Sequence, residues 1–546
     1  MGFAKLSMLR NAAFHLVLFC AAAALFALSF PSIVYDSGFS PLAYIALVPF
    51  FAAVNRVRWW SSWIWGAFFG FLSYALLNYW LANFHPLAIF IVPVIYAGYF
   101  LVLVPCLHLA RKAFPRWGFL MQAVLWIAYE YLRTRGFLGY SYGIIGYSQY
   151  QLPALVRISS LTGIWGVSLL VIFPSILIGW VISNWLDSEK TSPAALLHQL
   201  KSVRIPAAIY AVTVIAGIGY GVSQHVDLGD VPAVRMALVQ QNIDPWEGGA
   251  RAYRRSLDIL IRESDAALEQ HPDIDMVVWS ETSFVPSIDF HKRTRTNLES
   301  WQLVDRLLQY LEGQDVPFVI GNGDRQQRRS LSGQSTLLDY NAVLLFESGE
   351  ISETYRKTHL VPFTEHFPYE RQFPWLHRLL VENETTFWEH GSDFTVFESA
   401  GIQFSTPVCF EDTFGYLTRR FVREGAEVLV NLTNDSWAKS TASAMQHMGM
   451  AVFRAAETRR SMVRSTNGGI TTLIDPNGRI VDMLPPFIEG HLVVDVPVYT
   501  ETDTLYTAFG DWLGYLLTGA AAILLIVAML HIILQLTDIP KRGHNV

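Results

Sequence analysis

The chain runs to 546 residues with a formal net charge of -6, 52% hydrophobic and only 16% charged residues. A soluble globular enzyme carries about a quarter of its residues charged, so lipid must be part of this protein's solvent. The acidic balance offers no basic stripe, which excludes a nucleic-acid-binding class.

A hydrocarbon core of ~30 Å asks for about 20 apolar residues per helix. Apolar stretches of this kind fall near Ala12–Phe30, Pro41–Val54, Trp60–Leu81, Ala88–Ala110, Phe119–Leu132, Ser160–Ile182 and Ile205–Val222, with an eighth at Trp512–Leu534; the second and fifth are short. Lys5 and Arg10 ahead of the first suit a cleaved leader, but no A-x-A cleavage pattern follows, so it reads as a retained anchor. Arg56 and Arg58, Arg111, Lys112 and Arg116, Lys190, Lys201 and Arg204, and Lys541 and Arg542 fall on alternate loops. Basic short loops mark the cytoplasmic side, with Arg133 and Arg135 as exceptions in an outward loop. The expected organisation is a seven-helix bundle over 1–225, an extracytoplasmic domain over 226–505, and a C-terminal span with a short cytoplasmic tail over 506–546.

Between the spans the pattern changes. β-rich runs at Val234–Val239, Met276–Trp279, Phe318–Ile320, Ala342–Phe346, Ile402–Val408, Val428–Leu432, Thr471–Ile474 and Leu492–Val496 alternate with amphipathic helical patterns at Ala250–Glu269, Leu298–Leu311, Thr413–Arg423 and Ala442–Arg459. Alternation of this kind predicts an α/β layered domain.

Three of its stretches carry reactive side chains beside apolar runs: MVVWSE ending at Glu281, YRKTHLVPFTE with Lys357 and Glu365, and STPVCFE with Cys409 and Glu411. Cys20 and Cys106 lie in membrane segments, which leaves Cys409 alone in the soluble part, without a partner for a disulfide or a zinc site. Strand, Cys409, then a helix from about Asp412 points the sulfur at a helix N-terminus, where a thiolate is favoured. Glu281 would take the thiol proton as general base, and Lys357 would face the oxyanion of a tetrahedral intermediate. Each has a plainer reading: a buried cysteine, a capping glutamate, a solvated loop lysine, a first-turn Glu411. His447, on the Met-rich helix, reads as a satisfied buried or edge histidine. No metal-ligand spacing and no glycine-rich nucleotide loop are present, so no metal or cofactor is expected.

The order Glu, Lys, Cys on VVWSE, YRKTHLVPF and PVCFE resembles the nitrilase superfamily of carbon-nitrogen hydrolases, whose fold is an α-β-β-α sandwich. Flanking spans together with HLVPFTEHFP, NLTNDSW and RSTNGGIT are similar to the apolipoprotein N-acyltransferases within it. The resemblance implies Glu281 as base, Lys357 as oxyanion stabiliser and Cys409 as nucleophile. It also implies Glu365 and Glu411 as supporting carboxylates, and Trp246 in QNIDPW and Trp437 in NDSW as walls of the acyl or lipid site. Phe410 stands where the family often has Tyr, Phe363-Thr364-Glu365 where it has FGE, and NDSWAK through Lys439 where it has NDAWFG. GYSQ at Gly146–Gln149 also fits, with Tyr142 where an aromatic, commonly Trp, is expected. The implied partners are a phospholipid acyl donor and a diacylated apolipoprotein acceptor, in a multi-pass protein of the bacterial inner membrane for which a monomer suffices. The alternatives are a membrane-anchored amidase that passes its thioester to water, and a transporter with an inactive external domain. Against the transporter, few buried charges lie in the spans, Glu130 being the main one. Phe373, Leu376, Leu379 and Leu380 at helical spacing, with Trp375 and Trp388 nearby, read either as a lid on the lipid interface or as packing on the sandwich.

Overall fold

The computed structural model describes residues 2–84, 88–329, 335–382 and 387–538. The chain forms two compact units, one of 1–223 and 511–546, the other of 224–510.

The first unit is helical. Among the described residues five helices are long and apolar enough to cross a membrane: Arg10–Leu28, Ala88–Ala113, Ile164–Leu186, Arg204–Ser223 and Trp512–Gln535. Trp59–Leu77 adds a helix of 19 residues. The expected spans at 41–54 and 119–132 come out shorter than a bilayer needs. The first is a 3-10 turn, Ser40–Tyr44, followed by a helix of 7 residues, Val48–Val54, and the second is a helix of 15 residues, Gly118–Leu132. At 1.5 Å per residue these reach only about 10 and 22 Å. The short Val48–Val54 helix is buried, and Ser175 Oγ ties its approach by accepting from Leu47 N–H (3.2 Å) and donating to the Tyr44 carbonyl (2.9 Å).

Trp59–Leu77 and Ala88–Ala113 touch backbone to backbone through Gly66 and Gly70, a pair spaced four apart. A Cβ on Gly66 would stand 2.2 Å from the Phe100 carbonyl oxygen and one on Gly70 2.4 Å from that of Tyr96, so only glycine permits this approach. Arg133 is no loop charge: it is buried and donates to Tyr96 Oη and to the carbonyls of Tyr140 (3.0 Å) and Tyr142 (2.9 Å). Arg135 pairs with Asp511. Both exceptions to the loop-charge pattern are therefore internal contacts. Glu130 is likewise buried, its Oε1 accepting from Trp126 Nε1 (3.1 Å) and Ile145 N–H (2.9 Å).

The second unit is an α-β-β-α sandwich. Its strands are β1 (Ala233–Gln240), β2 (Met276–Trp279), β3 (Phe318–Arg329), β4 (Ser335–Glu347), β5 (Glu350–Arg356), β6 (Phe397–Ser399), β7 (Ile402–Ser405), β8 (Val428–Thr433), β9 (Ser461–Thr466), β10 (Thr472–Ile474), β11 (Ile480–Met483) and β12 (Gly490–Pro497). One sheet runs β12-β1-β2-β3-β4-β5 and the other β11-β10-β9-β8-β7-β6. β1, β2 and β3 are parallel, as are β7, β8 and β9, so each sheet has a central set of strands whose carboxyl ends point the same way. Between the sheets, Ser465 Oγ donates to the carbonyls of Val239 (3.2 Å) and Val278 (3.0 Å). Helices Ala250–Gln270 and Leu298–Glu312 cover the first sheet with Leu257, Leu260, Leu303 and Leu307, which pack on Val277 and Trp279. Losing one such leucine costs about 2–5 kcal/mol.

All eight predicted strands form. β5, β6, β9 and β11 were not expected: β9 reads SMVRST, and its buried Arg464 breaks the apolar run that marks an interior strand. The expected strand Ile402–Val408 stops at Ser405, and the helix expected from Thr413 begins at Gly415 after a 3-10 turn over Cys409–Thr413.

Candidate active site

Glu281 lies two residues beyond β2, Lys357 directly follows β5, and Cys409 follows β7 by four residues, so two strand ends of one sheet face a strand end of the other. Cys409 has φ +50, a left-handed backbone uncommon for a side chain with a Cβ; Asn431 Nδ2 steadies the turn by donating to the Pro407 (3.0 Å) and Cys409 (3.4 Å) carbonyls.

Lys357 is fully buried, and its Nζ donates to Glu365 Oε1 (2.9 Å) and Glu281 Oε1 (3.3 Å). Asn341 Nδ2 donates to the same two oxygens, at 3.3 Å to Glu365 and 2.8 Å to Glu281, and Val361 N–H fixes the other Glu365 oxygen at 2.8 Å. Burial by itself lowers the Lys357 ammonium, but Glu365 and Glu281 overcome it and hold the group firmly protonated. Burial raises the Glu281 carboxyl, and the Lys357 ammonium and the Cys409 thiol oppose this.

The thiol corrects one expectation. Cys409 keeps part of its surface open, but burial pushes its pKa well above the ordinary range, Glu281 adds to the rise, and Lys357 only partly offsets them. The expected pull of a helix N-terminus is absent because the residues after Cys409 form a single 3-10 turn, not a helix. The resting thiol is therefore neutral, beside the Glu281 carboxyl. Passing the proton to Glu281 moves one negative charge from oxygen to sulfur beside Lys357 without changing the total.

Glu411 is a clamp. It is fully buried; Oε1 accepts from Thr358 N–H (2.8 Å), Thr358 Oγ1 (2.9 Å) and His359 N–H (2.9 Å), Oε2 accepts from Val408 N–H (2.7 Å), and Tyr355 Oη reaches both oxygens at 2.9 Å. It thus ties the segment after Lys357 to the residue before Cys409. Glu411→Gln would set an amide NH₂ against one set of these donors, and thermal denaturation is expected to show a loss of about 1–3 kcal/mol.

Phe410 is buried and packs its ring on His359 and Phe414. Trp246 and Trp437 meet edge to face at 4.7 Å, and the flanking Asp244 and Lys439 form an ion pair at 2.8 Å. Tyr142 belongs to the helical unit, where it stacks on Tyr140 and meets Trp80. Asn341 and Tyr355 escaped the sequence reading. The one signal available was a polar residue, Asn341, directly before the apolar run of β4. On the arm Pro374–Glu382, Phe373, Trp375 and Leu379 are exposed, and the side chain of Leu376 lies outside the described residues.

A carbon-nitrogen hydrolase model matches residues 235–504, and the model of the apolipoprotein N-acyltransferase N-terminal domain matches residues 22–177. The chain is 44% identical over 534 residues to apolipoprotein N-acyltransferase 1 of Treponema denticola, covering 95% of this chain and 96% of that one. It is 41% identical over 522 residues to apolipoprotein N-acyltransferase 1 of Treponema pallidum, covering 93% and 94%. Among solved structures, an amidase from Nesterenkonia sp. aligns with a TM-score of 0.34 at 18% identity, over 50% of this chain and 94% of that one.

Proposed function

This chain belongs to the apolipoprotein N-acyltransferase family, and we propose that it N-acylates lipoproteins in two half-reactions through a thioester on Cys409. The observation that carries the reading is the buried cluster in which Lys357 bridges Glu281 and Glu365 beside the Cys409 thiol.

In the first half-reaction Glu281 takes the thiol proton as Sγ attacks the ester carbonyl of a phospholipid. Lys357 stabilises the oxyanion, the C–O bond breaks, and Glu281 returns the proton to the departing lysophospholipid oxygen. In the second, the free amine of a diacylglyceryl-cysteine attacks the thioester and passes a proton to Glu281, the C–S bond breaks, and the proton ends on sulfur. The kinetics are ping-pong. Glu365 and Asn341 hold the ammonium and carboxylate in register, and Trp246 and Trp437 shape the lipid site. The domain, taken as 226–505 between a helical bundle at 1–225 and a C-terminal span at 506–546, works on the extracytoplasmic face of the bacterial inner membrane, as a monomer.

An amidase that hands its thioester to water would use the same first step. To separate the two, wild-type protein in phospholipid vesicles is followed by mass spectrometry. A fatty-acyl increment on the Cys409 peptide that persists in water, and clears with formation of a new amide on adding a diacylated lipopeptide, is the expected result. An increment elsewhere, or one lost equally fast to water alone, would sink the reading.

The exposed apolar side chains of the 374–382 arm suit contact with lipid. Phe373→Ser with Leu379→Ser is expected to slow turnover on vesicles several-fold while leaving the melting curve in place.

A further inference from the structure

Behind the nucleophile stand four charged side chains that the proposed chemistry does not use. Asp412 lies in the turn after Cys409, Asp435 opens the short 3-10 turn Asp435–Ala438 that carries Trp437, His447 lies on the helix Thr441–Thr458, and Arg464 is in β9. His447 reaches Asp435 Oδ1 through Nδ1 at 2.7 Å and Asp412 Oδ1 through Nε2 at 2.8 Å. Arg464 donates to Asp412 Oδ2 through Nη1 and to Asp435 Oδ2 through Nη2, the latter at 3.4 Å. Asp412 and Arg464 are fully buried and His447 is 3% exposed.

Carboxylate oxygens on both imidazole nitrogens require both to be donors, so the ring carries two protons and the cluster balances two positive charges against two negative. Sealing four charges from water gains little net stability over an apolar core, whereas such a bonded set dictates the spacing of every segment it joins. Here the joined segments are the turn after the sulfur, the turn bearing Trp437, and the interior strand β9.

Taking Cys409 as the nucleophile, as proposed above, we infer that His447 is a positioning residue: by bridging Asp412 and Asp435 it locks the turn after Cys409 to the Asp435–Ala438 turn and sets where the sulfur stands against Glu281.

The charged groups facing His447 are Asp412, Asp435 and Arg464, one from each packed segment. Burial lowers the imidazolium, but the two aspartates outweigh burial and Arg464 and bring it to about 9. A folded pKa above the ordinary value near 6.5 means that its stabilisation is complete below about 6.5 and is lost as pH rises through about 9. Asp435 already raises the Cys409 thiol, so losing the His447 proton leaves that negative charge less compensated and disfavours the thiolate further.

The test uses the full-length protein in phospholipid vesicles. Acylation of Cys409 and its alkylation by iodoacetamide are both followed by mass spectrometry from about pH 6 to about pH 10. His447→Gln is expected to lower the maximal acylation rate about 10²-fold, the scale of a misplaced reacting group, with the KM for phospholipid little changed. The wild-type rate should fall above about pH 9, and that alkaline limb should be missing in the variant. If His447→Gln loses cooperative melting, Asp412→Asn, which keeps the shape and removes a charge, is expected to show the same split between kcat and KM. Acylation and alkylation of a folded variant that track wild type across pH overturn the positioning role. Wild type that alkylates at Cys409 but never acylates there instead overturns the nucleophile reading.

Discussion

Cys409→Ala is expected to abolish both the acyl adduct and lipoprotein N-acylation, a loss on the order of 10⁶-fold that places turnover below detection. Covalent catalysis has no partial substitute here. Without sulfur, Glu281 and Lys357 can polarise a phospholipid ester, but nothing holds the acyl group between donor and acceptor. The fold should survive, because the substitution removes one sulfur from a turn already held by Asn431 below it and Glu411 behind Val408. Turnover in the alanine variant within about a hundredfold of wild type, measured by conversion of a diacylated lipopeptide with a matching melting curve, would mean the acyl chain travels by another route.

Lys357→Met is expected to lose about 10²–10³-fold in acylation rate and also to weaken the fold, a pairing that separates it from Cys409→Ala. The catalytic part is one removed oxyanion donor, worth ~3 kcal/mol. The structural part arises because Lys357 is the buried cation that neutralises Glu281 and Glu365. Breaking a buried pair by deleting one partner typically costs about 3–5 kcal/mol, since the remaining charge stays in low dielectric. The pH dependence has a definite sign. The Glu281 carboxyl is already raised by burial, and Lys357 is the main influence holding it down, so the variant's carboxyl rises further. A group with a raised folded pKa stabilises below its unfolded value and loses that stabilisation as pH rises. The variant should therefore melt at a higher temperature at about pH 5 than at about pH 8; a melting temperature that instead falls on acidification would show that Glu281 carries no such burden.

How far the site could be read in advance varied with the range of the interactions. Glu281, Lys357, Glu365, Cys409 and Glu411 each sit in or beside a short apolar run, so local pattern brought them forward. The division of labour among them was not legible. Glu411 and Glu365 are chemically identical in a sequence, yet one collects backbone and hydroxyl donors as a clamp while the other pairs with Lys357. Asn341 is an unremarked polar residue until the β4–β5 register, which pairs Ala342 with Arg356, sets it beside Lys357, whose N–H donates to its carbonyl (2.8 Å). His447 reads as an ordinary buried histidine, and only folding brings aspartates from 35 residues before it and 12 residues before it onto its two nitrogens. Arg133 shows the same limit in the helical unit, where a presumed loop charge turned out to be buried among tyrosines.

From the amino-acid sequence alone came the properties that depend on composition and on periodicities of 2 and 3.6 residues: that lipid is part of the solvent, that an α/β domain interrupts the spans, and that Cys409 is the one cysteine in it. These follow from burial of apolar surface, which is additive along the chain and needs no knowledge of distant neighbours. The tertiary structure decided the charges. Whether the thiol rests neutral, which glutamate serves as clamp, and whether an arginine is solvated or sealed all depend on a few ångströms between groups far apart in the chain, because electrostatic energy in a poorly screened interior changes steeply with distance and partner.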